Sequence, residues 1–282
     1  MKTLITLLDD PRNDIFIHVD AKAKKFNEQD FNNICKHSRL IFLPMRNKVN
    51  WGGVSIMRTE LALLKTAASS GTYDYYHLLS GMDMPLKTQD EIHEFFNSHK
   101  GKEFINLWEI QPDIIDRFKY VTVFPEGQRV FHTRLVNKAF IGLQKWVGYN
   151  INKDVVFYYG SQWFSITDNL VRHILGKEDW LEKVFKSTSI CDEIFLPTLV
   201  CNSRFKENLF IAQPSKSNKD ATLGNMRLID WTRGESGRHP WTFKKEDYHM
   251  LKSAKHLFAR KFDENVDENI IKMLYADLAP IS

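Results

Sequence analysis

Two neighbouring acids, Asp192 and Glu193, open the apolar run Ile194-Phe-Leu-Pro-Thr-Leu199. A carboxylate there either caps a helix or takes a proton in a pocket, and the local pattern admits both. Ser189-x-x-Asp192 has the spacing of a capping box, and acids favour a first helical turn. The same helix dipole would keep Glu193 ionised near neutral pH, as a general base requires. Pro197 removes the amide that would bond the Glu193 carbonyl, so a helix through this stretch is expected to be loosened. Adjacent carboxyls diverge on a helix or a strand, whereas a glycosidase pair stands about 5–9.5 Å apart across the bond it cleaves. Hydrolysis of that kind is therefore disfavoured.

The other candidates end apolar segments: Asp20, Ser80, Asp83, Glu109 and Ser161. In open α/β sheets, ligands collect at the carboxyl ends of strands. Each has a plainer alternative. Asp20 can cap its own strand end, and Asp83, after Gly81, can close a turn on its own backbone. Trp163 can stack on a ring or simply fill core, and core is the commoner fate of tryptophan.

These residues must be held by elements the sequence outlines. Thr3 to Leu8 reads as the end of a helix, and Asp14 to Asp20 and Leu40 to Pro44 as strands. Ser55 to Ala68 has helical apolar spacing. Tyr73 to Leu79 is a third strand, Gln89 to Phe96 a helix and Glu103 to Leu107 a strand. The alternation implies a wound α/β sheet flanked by helices. Tyr120 to Val147 is aromatic and basic, and reads as a hairpin or an acceptor-side loop. Val155 to Ile166 is strand-like and Asn169 to Leu175 helical. Ser215 to Asp220 and Trp231 to Pro240 read as loops.

Length and 43% hydrophobic content allow a sizeable core, in one domain or two packed lobes. A net charge of +4 suits an anionic partner, but no Lys/Arg stripe interleaved with aromatics indicates nucleic acid. Cys35, Cys191 and Cys201 have neither disulfide-framework nor zinc spacing, which fits a reducing cytoplasm. No apolar run approaches the roughly 20 residues of a membrane span, so at most a peripheral membrane contact is expected.

Five blocks in order carry a resemblance: Ile17-His-Val-Asp20-Ala-Lys22, Leu79-Ser-Gly-Met-Asp83-Met-Pro-Leu-Lys-Thr88, Gly160-Ser161, Asp192-Glu193 and His256-Leu-Phe-Ala-Arg-Lys-Phe-Asp263. Together they resemble the core-2/I-branching N-acetylglucosaminyltransferase and peptide O-xylosyltransferase family. That resemblance implies a GT-A-like α/β fold and an inverting, metal-independent transfer from a UDP-sugar to an acceptor hydroxyl. It makes Glu193 the catalytic base and places Arg227 and Lys261, with Arg260 second to Lys261, on the donor diphosphate. An Arg fork plus a Lys point charge can replace a metal there, and no Asp-x-Asp is present. Asp20 is implied at the donor base, Asp83 and Ser161 elsewhere on the donor, and Glu109, Arg117 and Trp163 on the acceptor side. No cofactor is expected.

Two departures are visible. Members of the family usually begin with a strand before the helix that ends at Leu8; its absence is expected to leave a gap in the sheet and weak UDP binding. Cys191 stands where proline commonly precedes Asp-Glu. The chain is expected to be one glycosyltransferase domain, with a nucleotide-sugar half over about 1–110 and an acceptor half over about 111–282. The expected reaction moves a sugar, GlcNAc first among candidates, onto a surface oligosaccharide or glycolipid in the cytoplasm of a microbe. The alternative is an impaired carbohydrate- or nucleotide-binding module.

Overall fold

The structure is a computed structural model that describes residues 1–126, 130–216, 223–234 and 239–279. In chain order its elements are α1 Lys2–Leu8, β1 Asp14–Ile17, β2 Arg39–Phe42, α2 Val54–Ser70, β3 Tyr75–His77, β4 Asp83–Pro85, α3 Gln89–Ser98, β5 Phe104–Trp108 and α4 Pro112–Lys119. There follow α5 Phe131–Trp146, β6 Tyr159–Thr167, α6 Asp168–Leu175, α7 Glu178–Phe185, α8 Phe195–Cys201, β7 Arg227–Ile229, α9 Tyr248–Ser253, β8 Phe258–Arg260 and α10 Glu268–Leu278. The first hundred residues follow the expected alternation. The hairpin or loop expected over Tyr120 to Val147 is instead mostly the helix α5. Parts of the loops expected at Ser215 to Asp220 and Trp231 to Pro240 lie outside the described residues.

The strands of the described residues form three groups. β1 pairs with β2 in parallel, β6 lies between β3 and β5 in antiparallel register, and β8 lies between β4 and β7. β1 and β3 do not pair. A cleft of about 780 Å³ lies between them, with Phe16 on one wall and Tyr75 on the other. Beyond the carboxyl ends of β1 and β3 the same cleft is lined by His18, Asp20, Ser80 and Gly81.

Long-range polar ties fix the helices around the cleft. Asp9, after α1, accepts bonds from the amides of Lys36, His37 and Ser38 at 2.6, 3.0 and 2.7 Å. The start of α2 has no cap from its own Gly53; Glu126 supplies it, accepting from Ser55 N at 2.8 Å and Ser55 Oγ at 2.7 Å. A side chain on Gly53 would collide with that carboxylate, since its Cβ would stand 2.2 Å from Glu126 Oε2. Thr88 and Glu91 form a capping box on α3. Glu103 is buried under the first turn of α6, accepting from Thr167 N at 2.9 Å and Thr167 Oγ1 at 2.6 Å.

Among the described residues three apolar clusters form the core. The largest joins α2, β5, β6, α6, α7 and α8; the second joins α1 to β4 and the C-terminal helices; the third packs α3 against β5 and β8. Each draws residues from both sides of residue 110, so the two halves expected from the sequence share their cores.

Candidate active site

Glu193 closes a single 3₁₀ turn, Cys191–Glu193, set between α7 and α8. Ile190 enters that turn in the left-handed region, φ 57° and ψ 47°, and no side chain caps it. The break separates Ser189 from Asp192, so the expected capping box does not form. Asp192 instead takes the amides of its own residue and of Glu193. Pro197 lies in the first turn of α8, which begins at Phe195. A missing amide is tolerated there, and the expected loosening is not needed.

Glu193 faces β6, where Tyr159 donates its hydroxyl proton to the carboxylate. The approach depends on Gly160. Its Cβ would stand 1.9 Å from Asn106 O and 3.0 Å from Pro197 Cγ, so only glycine lets β5, β6 and α8 come this close. The register of β5 on β6 shifts at this point, between Ile105 and Leu107. Arg117, on α4, acts electrostatically on both Glu193 and Tyr159.

Burial raises the Glu193 carboxyl above the ordinary range, and the charge of Asp192 adds to it; Tyr159 and Arg117 oppose the rise. Asp192 is raised too, chiefly by burial. This reverses the expectation that a helix dipole holds Glu193 ionised. The helix is only seven residues long and starts after Glu193, so desolvation dominates. Glu193 is crowded on nearly all sides yet keeps part of its surface open to solvent. A recessed, reachable carboxyl titrating nearer neutrality can accept a proton from a bound hydroxyl.

Glu60, from α2, extends this acidic region. It is 3% exposed, and its Oε1 accepts from Gln162 Nε2 at 2.7 Å. Burial raises it well above the ordinary value, and Asp192 adds to the shift. Glu60 Oε2 and Asp192 Oδ1 have no hydrogen-bond partner among the described residues. Sequence reasoning missed Glu60, although Ile56, Glu60 and Leu64 lie one turn apart and set an acid on the apolar stripe of α2. It also missed Tyr159 and Gln162, which flank Gly160-Ser161.

The other expected residues separate. Asp20 accepts from Lys22 N at 2.8 Å and pairs with Lys22 Nζ at 3.3 Å, forming a local turn at the cleft rim. Asp83 is 3% exposed; it accepts from Ser80 N at 2.7 Å and Arg260 Nη1 at 3.0 Å. The turn-closing alternative is thus seen, with a buried ion pair added. The Arg260 guanidinium lies 4.3 Å from the ring centroid of Trp163. Ser161 is buried, and its Oγ accepts from the Trp163 amide at 3.2 Å.

Arg227 is the residue expected on the donor diphosphate. It is 2% exposed, and its guanidinium donates to the carbonyls of Asn225, Leu78 and Phe164 at 2.5, 3.3 and 2.6 Å. It also donates to Ser165 Oγ at 3.1 Å and lies over the Phe258 ring. Burial lowers its pKa to about 9, with Asp83 opposing. It ties β7 to β6 and to the residue after β3, and its Nε has no hydrogen-bond partner among the described residues. Lys261 follows β8 half-buried, and its ammonium makes no ion pair among the described residues. Of the expected acceptor residues, Arg117 lies by Glu193, Trp163 lines the cleft, and Glu109 is exposed just past β5. Among the described residues no three His, Cys, Asp or Glu side chains come together as a metal-ligand set.

A family model described as Core-2/I-Branching enzyme matches residues 1–255. Xylosyltransferase 2 of Rattus norvegicus is 24% identical to the chain over 287 residues, covering 97% of the chain and 31% of that protein. Xylosyltransferase 1 of Homo sapiens is 24% identical over 277 residues, covering 92% of the chain and 27% of that protein. The chain thus spans less than a third of the length of these relatives.

Proposed function

Since the chain belongs to the core-2/I-branching enzyme family, we propose that it is an inverting glycosyltransferase using a UDP-sugar donor. The observation that carries this reading is the recessed Glu193 carboxyl, hydrogen-bonded by Tyr159 and offset by Arg117. The acceptor hydroxyl attacks the anomeric carbon and its proton passes to Glu193. The new C–O bond forms as the bond to the diphosphate breaks, and UDP leaves with the electron pair. Tyr159 and Arg117 hold the carboxylate towards the acceptor and keep a fraction of it ionised.

The donor occupies the cleft beyond β1 and β3, with Asp20 at the nucleoside end. Lys261 and Arg260 take the diphosphate charge in place of a metal; Arg260 is oriented by Asp83 and Trp163. UDP-GlcNAc is the first donor to test, and UDP-xylose is the second because relatives are named xylosyltransferases. The acceptor is a hydroxyl of an oligosaccharide or glycolipid. A cytoplasmic setting suits three cysteines that are all free thiols. UDP release from a panel of UDP-sugars tests the reading. Turnover with at least one donor is expected, and binding of UDP without any turnover would favour the alternative of an impaired binding module.

A further inference from the structure

Helix α5 is built inside out. Its inward side is polar: Asn137 and Gln144 are 5% and 4% exposed. Asn137 brackets Phe124, accepting from its N at 2.9 Å and donating to its O at 3.1 Å. Gln144 does the same for Val121, at 2.9 Å in each direction. These two amide brackets seven residues apart fasten the helix to residues 121–124.

The outward side is apolar. Phe131, Leu135, Val136, Phe140, Leu143 and Trp146 are 65, 52, 47, 37, 51 and 83% exposed. At about 100° per residue they fill roughly half of the helix circumference. Arg134, Lys138 and Lys145 fall in a row beside one edge of that arc, within about 40° of each other. The helix FHTRLVNKAFIGLQKW carries no acid. Arg134 and Lys138 make no ion pair among the described residues, while Lys145 is paired with Asp116 of α4.

We propose that α5 seats the protein on an anionic bilayer surface, with its apolar arc in the headgroup–acyl boundary and its cations at the level of the phosphates. A wide apolar arc, aromatics at both ends and a cationic flank are what an interfacial helix needs. A second copy of this chain fits less well, because it would bring its own cations and no acid on α5 answers them. The Lys145–Asp116 pair ties the helix to α4, which also carries Arg117.

Co-sedimentation of the full chain tests this, with vesicles of phosphatidylcholine alone and of phosphatidylcholine mixed with phosphatidylglycerol. Light scattering without vesicles reports self-association. Partition into the mixed vesicles, lost at high salt, is expected. Arg134→Gln with Lys138→Gln leaves the apolar arc whole and should weaken that partition about 30-fold. Leu143→Glu with Trp146→Glu, at positions already exposed, should weaken it by about 100-fold or more. Absence of partition, or equal partition into both vesicles, would overturn the proposal. So would a wild-type dimer that becomes monomeric with Leu143→Glu and Trp146→Glu while vesicle binding is unchanged.

Discussion

Replacing Tyr159 with phenylalanine isolates one contribution to the proton affinity of Glu193. The ring stays, and with it the edge contact to Trp108 at 5.1 Å between centroids; only the hydroxyl donor goes. A hydrogen bond to a charged group contributes about 1.5–3 kcal/mol. Glu193 is partly open to solvent, so water recovers some of the loss and about 1.4 kcal/mol is the expected net effect. That corresponds to about one pK unit. The sign follows from which form loses its partner: the hydroxyl favours the carboxylate, so its removal favours the neutral acid and raises the pKa further. The acid limb of kcat/KM, already expected above the ordinary glutamate value of about 4.3, should move up by about one unit. The high-pH plateau should change by less than about tenfold. The assay is UDP release as a function of pH for wild type and Tyr159→Phe. A limb that stays in place or moves to lower pH would refute the assignment of Tyr159 as donor to the base.

Two further outcomes concern stability. Burial raises the folded-state pKa of Glu60 well above its ordinary value, so between the two values the folded chain holds a proton that the unfolded chain has released. Stability therefore falls as pH rises from about 4.3 towards the folded pKa. Glu60→Gln lacks this slope, and urea unfolding from pH 4 to 8 should show the variant gaining on wild type as pH rises; parallel curves would count against the buried acid. Gly160→Ala drives a Cβ to 1.9 Å from Asn106 O, and should cost about 3 kcal/mol of overpacking as well as displacing the Tyr159–Glu193 contact. Unchanged thermal unfolding would contradict that geometry.

Much of the fold was legible because its short apolar runs alternate with helical spacing. Gln89–Ser98 and Asp14–Ile17 emerge close to where their patterns put them. α5 was misread for a physical reason. Sequence patterning takes the apolar side of a helix to be its inner side, and here the inner side is Asn137 and Gln144. The site was legible in part. Glu193 and Arg117 are brought together, but Arg227 looks the same in sequence whether its guanidinium meets a ligand or three backbone carbonyls. The sign of the Glu193 shift was also hidden, because desolvation depends on neighbours drawn from α4, β6 and α8. Glu60 was readable from its place on the α2 stripe, since an acid among apolar neighbours at helical spacing is either an error of pattern or a buried group with a task.

The central claim is that Glu193 takes the acceptor proton, and the most direct measurement compares UDP release by wild type and Glu193→Gln with UDP affinity measured alongside. Loss of a general base should lower the rate by about 10²–10⁴ while the dissociation constant for UDP stays within a few-fold. Equal rates of acceptor-dependent release from the two proteins would contradict the account.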